Sequence, residues 1–381
     1  LTLAEGGVDV IVVDRGPIAG EASGLNAGVV GGGGWGRRPG IDVTLKMGSR
    51  DRYVELTDER GHDISLDRTG TLTLLRTEDE LAWASATVRA DRDAGRVTEL
   101  LTPAELASLE PATDPTLLGA VLDPLGARAE PVNATRAFAA EAEAAGATIE
   151  TGAAVDDLRP VAGGGWEVDV IGRSGRSIGA DAVVIAAGPW CADIGAMVGV
   201  EVPIVAVRGQ MWASEPRAPM LRHAIASAES LLAWSNEVPT AGSPPALTHH
   251  EGRRRTRHLY GRQRPNGEIV FGGDRVQTAD RRVDPDGIAV NHAHVAELLP
   301  QIDTMAPART WAGLMPFSLD GRPLVGPVPD LDGLFLAGGL ASSGFGRGPM
   351  TGQLVAELVL GRAPEVDLGT ILPGTRARPV S

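Results

Sequence analysis

The sequence predicts an α/β protein in which a Rossmann-like nucleotide-binding domain is interrupted by a second, mainly antiparallel α+β domain. Three observations carry this. The β-branched run VDVIVV at 8–13 ends in Asp14, and an acidic residue closing the second strand of a βαβ unit is where dinucleotide-binding folds hold a ribose hydroxyl. Two further apolar runs stop in glycine and small residues, VVIAAGPW at 183–190 and LFLAGG at 334–339, which leaves room for a ligand at the carboxyl ends of a parallel sheet. Between them lie segments of strict apolar and polar alternation with turn residues at their ends.

In chain order, Leu1, Leu3 and Ala4 read as the last turn of an amphipathic helix, stopped by Gly6 and Gly7. The strand to Asp14 follows. Its usual companion is a G-x-G-x-x-G turn about 20 residues upstream, so the reading expects roughly 15 to 20 further residues ahead of Leu1. RGPIAGEASGLNAGVVGGGGWG is too rich in small residues for a packed helix. It suits backbone laid against a flat, anionic ligand, with the glycines of 28–36 offering N–H groups. Asn133 caps an alanine-rich helix, ATRAFAAEAEAA, which Gly146 ends before a strand at 147–150. A hairpin runs through 166–171, turns at 173–176 and returns through Ile178 to the run at 182–187. The alternating texture covers 69–77, GQMWAS and HLYGRQRPNGEIVFGGD, with a turn at Pro265-Asn266-Gly267, and is accompanied by helices near 79–94 and 285–299. GPMTGQLVAELVLG starts a last helix with Pro349 in its first turn and Gly361 as its stop. The resulting division assigns 1–65, 126–202 and 311–381 to the nucleotide-binding domain and 66–125 and 203–310 to the inserted substrate domain.

Composition narrows the function. With 381 residues, 43% of them apolar, the chain can bury more than one core. Its most hydrophobic stretch is interrupted by Asp181 and Asp193, so no membrane-spanning run of ~18 apolar residues is expected. A net charge of −14 argues against nucleic acid as a partner. The single Cys191 excludes an intrachain disulfide and suits a reducing, cytoplasmic setting. Lys46 is the sole lysine, which leaves cationic chemistry to arginine and allows no other Schiff-base lysine. No metal site is expected: His249 and His250 beside RRRTRH read as a solvated loop, and His292 and His294 fall on different faces of their helix.

VVDRGPIAGEASGLNAG, VVIAAGPW, VRGQMW and the long C-terminal stretch WAGLMPFSLDGRPLVGPVPDLDGLFLAGGLASSGFGRGPMTGQLVAELVLG together resemble the FAD-dependent D-amino acid oxidase superfamily. The nearest flavour is its glycine oxidase, sarcosine oxidase and proline dehydrogenase branch. The resemblance spans 3–361 in the family's order and is weakest over 216–257, where a loop is expanded. It implies an FAD-binding domain holding the cofactor extended. By motif, Asp14, with Arg15 beside it, meets the adenosine ribose, Ser23 and Gly24 face the pyrophosphate, and Asn26, Ala27 and Gly28 lie near the isoalloxazine. The Val155 backbone touches adenine, while Ala187, Gly188 and Trp190 form a second flavin-proximal turn. Gly339, Gly344, Phe345, Gly346, Arg347, Gly348 and Thr351 surround the ribityl chain and the pyrimidine edge. Glycines before a helix N-terminus also have an independent reason to be there, since they aim N–H groups and a positive dipole end at electron-rich oxygens.

The resemblance further implies hydride transfer from a C–H beside an amine to flavin N5, with the imine hydrolysed by water. The protein then orients and polarises, and no obligatory acid–base residue is required. The substrate is a small amine or amino acid such as glycine, sarcosine, a D-amino acid or proline. Electrons pass to oxygen or, alternatively, to a partner protein, as in a dye-linked or opine-type dehydrogenase complex; a truncated, inactive fragment is the remaining alternative. Homo- and hetero-oligomers are both compatible with the sequence. Relatives often take the substrate carboxylate with the arginine of an A-G-L-R-P motif. Here the motif reads Ala312-Gly313-Leu314-Met315-Pro316, and Met315 cannot form a bidentate pair with a carboxylate. Arg347 is the expected substitute and Tyr260 a substrate-facing tyrosine. Their plainer readings are a solvent-facing arginine and a tyrosine packed at the domain seam.

Overall fold

The computed structural model describes residues 1–30, 40–172, 175–229, 249–250, 253–254 and 259–379. Glycines 31–34 and 36, the first two residues of the turn expected at 173–176, and 255–258 of the RRRTRH stretch lie outside the described residues.

The α/β prediction holds. The Ile11–Asp14 strand pairs in parallel with Thr148–Thr151, from Ile11 opposite Thr148 to Asp14 opposite Thr151. Val183–Ile185 pairs in parallel with Leu334–Gly338, which also carries the antiparallel strand Leu324–Pro327. Parallel neighbours need long crossovers, and the first is supplied in part by the Pro131–Ala144 helix. That helix starts three residues earlier than expected. Pro131, whose fixed φ suits the first helical position, displaces Asn133 from the cap into the first turn, and Gly146 ends the helix with φ +100°. The expected hairpin gains a third strand and becomes the antiparallel sheet Ala153–Pro160, Trp166–Gly172 and Arg176–Ala180. Trp166 ties it to the parallel strands: its ring is buried with Leu158, Ile185, Leu334 and Leu336, and its indole N–H donates to the Asp332 carbonyl at 3.0 Å.

The alternating segments form one eight-stranded sheet. Its order is Arg309–Ser318, Ile204–Ala213, Ile269–Gln277, Tyr260–Gln263, Ala224–Ser227, Thr71–Leu75, Gly119–Asp123 and Glu99–Leu101. All neighbours are antiparallel except Ala224–Ser227 with Thr71–Leu75. On one face Trp212 and Phe271 stack at 5.9 Å within a core that includes Leu72, Leu74, Val295 and Leu298, the last two from the Pro285–Leu298 helix. Pairing between Arg309–Ser318 and Ile204–Ala213 is unbroken over ten residues. The chain therefore leaves this sheet after Ser318, and the boundary expected at 311 falls inside a strand.

A helix over Ile41–Asp58 had no counterpart in the sequence reading. Its buried stripe contains Leu45, Ser49, Tyr53 and Leu56, and a serine within the stripe blurs the apolar period. It packs against the last helix, Gly344–Val359. Gly48 permits this approach, because a Cβ there would stand 2.6 Å from the Met350 sulfur. The last helix begins at Gly344, so Pro349 lies in its interior and not in its first turn. Proline at that position removes the N–H that would reach the Phe345 carbonyl. The Tyr53 hydroxyl donates to that carbonyl instead, at 2.8 Å.

Candidate active site

Asp14 ends its strand with an exposed carboxylate, one oxygen of which accepts the Gly16 N–H at 2.8 Å. The adjacent Arg15 lays its guanidinium over the Trp190 ring, 3.7 Å from the centroid. The turn after the Asp14 strand and the turn after Val183–Ile185 therefore meet, as two parts of one dinucleotide site must. Val13 and Val155 pack on the same core, which places Val155 beside the Asp14 strand.

The loop between Ser23 and Gly28 is held by Asn26. Its side-chain oxygen accepts the Gly28 N–H at 2.7 Å, and its amide donates to the Ala22 and Ser23 carbonyls at 3.0 and 2.9 Å. Two glycines are obligatory here. A Cβ on Gly24 would lie 2.0 Å from the Ala19 carbonyl oxygen, and one on Gly28, where φ is +76°, 1.9 Å from that of Ala129. The sharp turn at Gly188 (φ +57°) and the helical Gly348 differ, since a Cβ at either would meet nothing within 4 Å. Ser343 places no side-chain cap on the helix starting at Gly344, so the donors of its first turn are left for another acceptor. Strand-end carboxylate, compressed glycine loop, open glycines and uncapped helix start suit an extended dinucleotide such as FAD. Gly339 makes the turn out of its strand with φ +70°. Phe345 stacks on Tyr53 at 4.9 Å, Gly346 is buried, and buried Thr351 donates to the Arg347 carbonyl at 2.9 Å. Phe345 and Thr351 thus contribute to helix packing.

Opposite the loop stands the second face of the eight-stranded sheet. Ala27, Met211, Ala213 and Val270 form a buried cluster against which Tyr260 and Trp311 pack. The Trp311 indole donates to the Leu25 carbonyl at 2.9 Å. Two residues from Tyr260 on the same strand face, Arg262 reaches across the seam: it donates to the Ala27 and Ala129 carbonyls and pairs with Glu130 at 2.6 Å. Only 1% of Arg262 is exposed. Burial pulls its guanidinium below the ordinary range while Glu130 opposes the shift. Burial likewise pushes Glu130 up, but hydrogen bonding to Arg264 and the charges of Arg262 and Arg264 outweigh it and hold the carboxyl below the usual range. The sequence reading missed Arg262, although its alternation with Tyr260 in YGRQ was the signal available. Burial raises the Tyr260 phenol, and the charge of Arg275 works against that.

Arg347 does not stand where the reading placed it. Its guanidinium is buried and pairs with Asp42 of the Ile41–Asp58 helix at 2.7 Å, and Lys46 meets the same carboxylate at 3.1 Å. A cation committed to a buried carboxylate is a poor anchor for a second one. Both plain readings of this residue, substrate anchor and solvent-facing arginine, give way to a structural ion pair. Met315 lies on the sheet's second face, its methyl carbon 2.8 Å from where a Gly209 Cβ would be. Among the described residues no group of three or more histidine, cysteine or acidic side chains is arranged to hold a metal, and no helix is long and apolar enough to cross a membrane.

A strand-end carboxylate and backbone cradles on one side of a seam, with a side-chain wall on the other, suit a dinucleotide-dependent oxidoreductase. The profile of the DAO family, FAD dependent oxidoreductase, matches residues 1–358, and the chain belongs to that family. It is an FAD-dependent oxidoreductase acting on amino acids or amines. It is 28% identical to a glycine oxidase of Geobacillus kaustophilus over 364 residues, covering 94% of this chain and 88% of the relative. The crystal structure of glycine oxidase from that organism superposes with a TM-score of 0.83 at 27% identity, over 97% of this chain and 93% of the other. L-proline dehydrogenase from P. horikoshii shares the fold, with a TM-score of 0.81 at 22% identity over 97% and 92% of the two chains.

Proposed function

We propose that this protein oxidises a small primary or secondary amino acid at the carbon bearing nitrogen, in the manner of a glycine oxidase. FAD, when bound, would supply the chemistry as acceptor of the hydride from that carbon, with a proton leaving the nitrogen and water hydrolysing the released imine. The chain's own residues position and enclose. Tyr260, Trp311 and Met211 wall the space facing Ala27 and exclude water from it, and the Tyr260 hydroxyl offers a hydrogen bond to substrate. The observation that supports this most is the packing of that wall directly on the 23–28 loop, because hydride transfer needs substrate carbon and cofactor held within contact distance.

Anaerobic titration of the FAD-loaded protein with glycine, sarcosine, D-alanine and L-proline tests the reading. Bleaching of the visible flavin band by at least one of them is expected; a band unchanged by all four overturns it. Oxygen uptake measured with and without an artificial acceptor separates an oxidase from a dehydrogenase that hands electrons to a partner. We place the enzyme in the cytoplasm, a location compatible with its single, buried cysteine.

A further inference from the structure

We propose that Arg262 is a positioning residue: it holds the Ala27–Gly28 peptide at a fixed distance from the Tyr260 wall and so sets how closely substrate carbon and cofactor approach. The proposal rests on the function proposed above, in which the space between this loop and that wall is where the reaction occurs.

One short strand, Tyr260–Gln263, carries both parts. Tyr260 and Arg262 are two residues apart and rise from the same face, the face that packs on Ala27. Tyr260 stays on the wall, whereas Arg262 crosses the seam. Its Nε donates to the Ala27 carbonyl, and its Nη2 donates to the Ala129 carbonyl at 2.9 Å and pairs with Glu130 at 2.6 Å. These two nitrogens form one edge of a planar guanidinium, so the two carbonyls are held in a fixed relation to each other. Both belong to buried residues, Ala27 being 3% and Ala129 0% exposed, where an acceptor deprived of its donor is costly.

The contacts close into a ring. Arg262 binds the Ala27 carbonyl, the next carbonyl, that of Gly28, accepts the Ala129 N–H at 2.8 Å, and the Ala129 carbonyl returns to Arg262. The N–H of the Ala27–Gly28 peptide is taken as well, by the Asn26 side-chain oxygen at 2.7 Å. This peptide is therefore fixed at its carbonyl by the facing sheet and at its N–H by its own loop. It cannot rotate or withdraw without breaking one of the two. Gly28 lets the guanidinium lie directly against it, since a Cβ there would stand 3.0 Å from Nη2.

Glu130 orients the clasp from behind. It immediately follows Ala129 and caps the Pro131–Ala144 helix, and it is also held by Arg264, which pairs with Glu268 at 2.7 Å; Glu268 in turn meets Arg309 at 3.1 Å. The guanidinium thus has two separable tasks, an ion pair with Glu130 and a fork on two carbonyls.

The test separates them in the FAD-loaded protein with R262M, which keeps the bulk and removes every donor, and R262K, which keeps a cation for Glu130 and removes the fork. Melting temperature, the FAD dissociation constant, the visible flavin spectrum, and kcat and KM at saturating FAD are read for each. R262M is expected to bind FAD ~10-fold more weakly, to shift the visible band, and to lose ~10- to 100-fold in kcat with KM changed less than about threefold. R262K is expected to regain most of the melting temperature while kcat and the spectrum stay near those of R262M, because stability follows the ion pair and positioning follows the two carbonyls. R262M with wild-type kcat and spectrum, or with a loss confined to KM, overturns the proposal. So does an R262K in which kcat returns together with stability, an outcome that reduces the residue to a charge partner of Glu130 and decides the matter even if R262M fails to fold. If wild type oxidises no amine, the function falls, and the spectrum and FAD dissociation constant of R262K still decide the clasp; amine oxidation indifferent to R262K removes the clasp and leaves the function standing.

Discussion

The two sides of the seam present different surfaces. The 14–28 segment and the turns at Gly188 and Gly344 present backbone, with side chains trimmed away by glycine and alanine, whereas the facing sheet presents Tyr260, Arg262 and Trp311. Peptide groups, which every sequence has, suit a cofactor common to a whole family, and side chains, which can change place, suit the choice of substrate.

Four substitutions sharpen or break this comparison. The largest effect is expected on the backbone side, from Gly28→Val. A Cβ cannot share space with the Ala129 carbonyl at 1.9 Å in a backbone with φ +76°, and strain plus displacement should cost about 3–5 kcal/mol. Purified protein should emerge with little FAD, read from its visible absorbance; a fully yellow, equally stable variant would mean that the loop has slack. Next is Arg347→Ala, which leaves Asp42 with Lys46 as its cation among the described residues, in a buried site. A loss of about 3 kcal/mol in stability is expected, with KM for an acidic substrate changed less than about twofold. The opposite pattern, a normal melting temperature with KM raised tenfold or more, would return Arg347 to the substrate.

Glu130→Gln probes the clamp that joins the two sides. Because the folded-state pKa of Glu130 is depressed, its stabilisation is present above the unfolded pKa of about 4.3 and is lost as pH falls through the folded value. The glutamine variant should lose about 2 kcal/mol at pH 7 and show a shallower decline of stability below pH 4. Parallel acid limbs in the two proteins would assign acid sensitivity elsewhere. The smallest effect is expected from Tyr53→Phe, which removes the donor to the Phe345 carbonyl above Pro349. About 1–2 kcal/mol should be lost, seen as a lowered denaturant midpoint at unchanged slope.

Much of the backbone side was legible in advance. Strand ends at Asp14, Ile185 and Gly338 lie at or within two residues of where the apolar runs stop, and the helices near 79–94 and 285–299 lie within a residue or two of Glu78–Asp93 and Pro285–Leu298. The Ile41–Asp58 helix was not legible, since Gly48 and Ser49 sit where an apolar stripe should continue, chosen for contact with Met350 about 300 residues away. Pro349 misled because its usual place is a first turn, and only a tyrosine from another helix makes an interior place tolerable.

By itself the sequence determined the class of fold, because strand periodicity, glycine turns and helix stops are local constraints that each short stretch must satisfy on its own; the family and the cofactor followed from its resemblance to known proteins. Tertiary structure alone decided which arginine is bound to Asp42 and which clamps the loop. Those outcomes depend on contacts between distant segments, and a single step in register sends a side chain to the opposite face of a sheet.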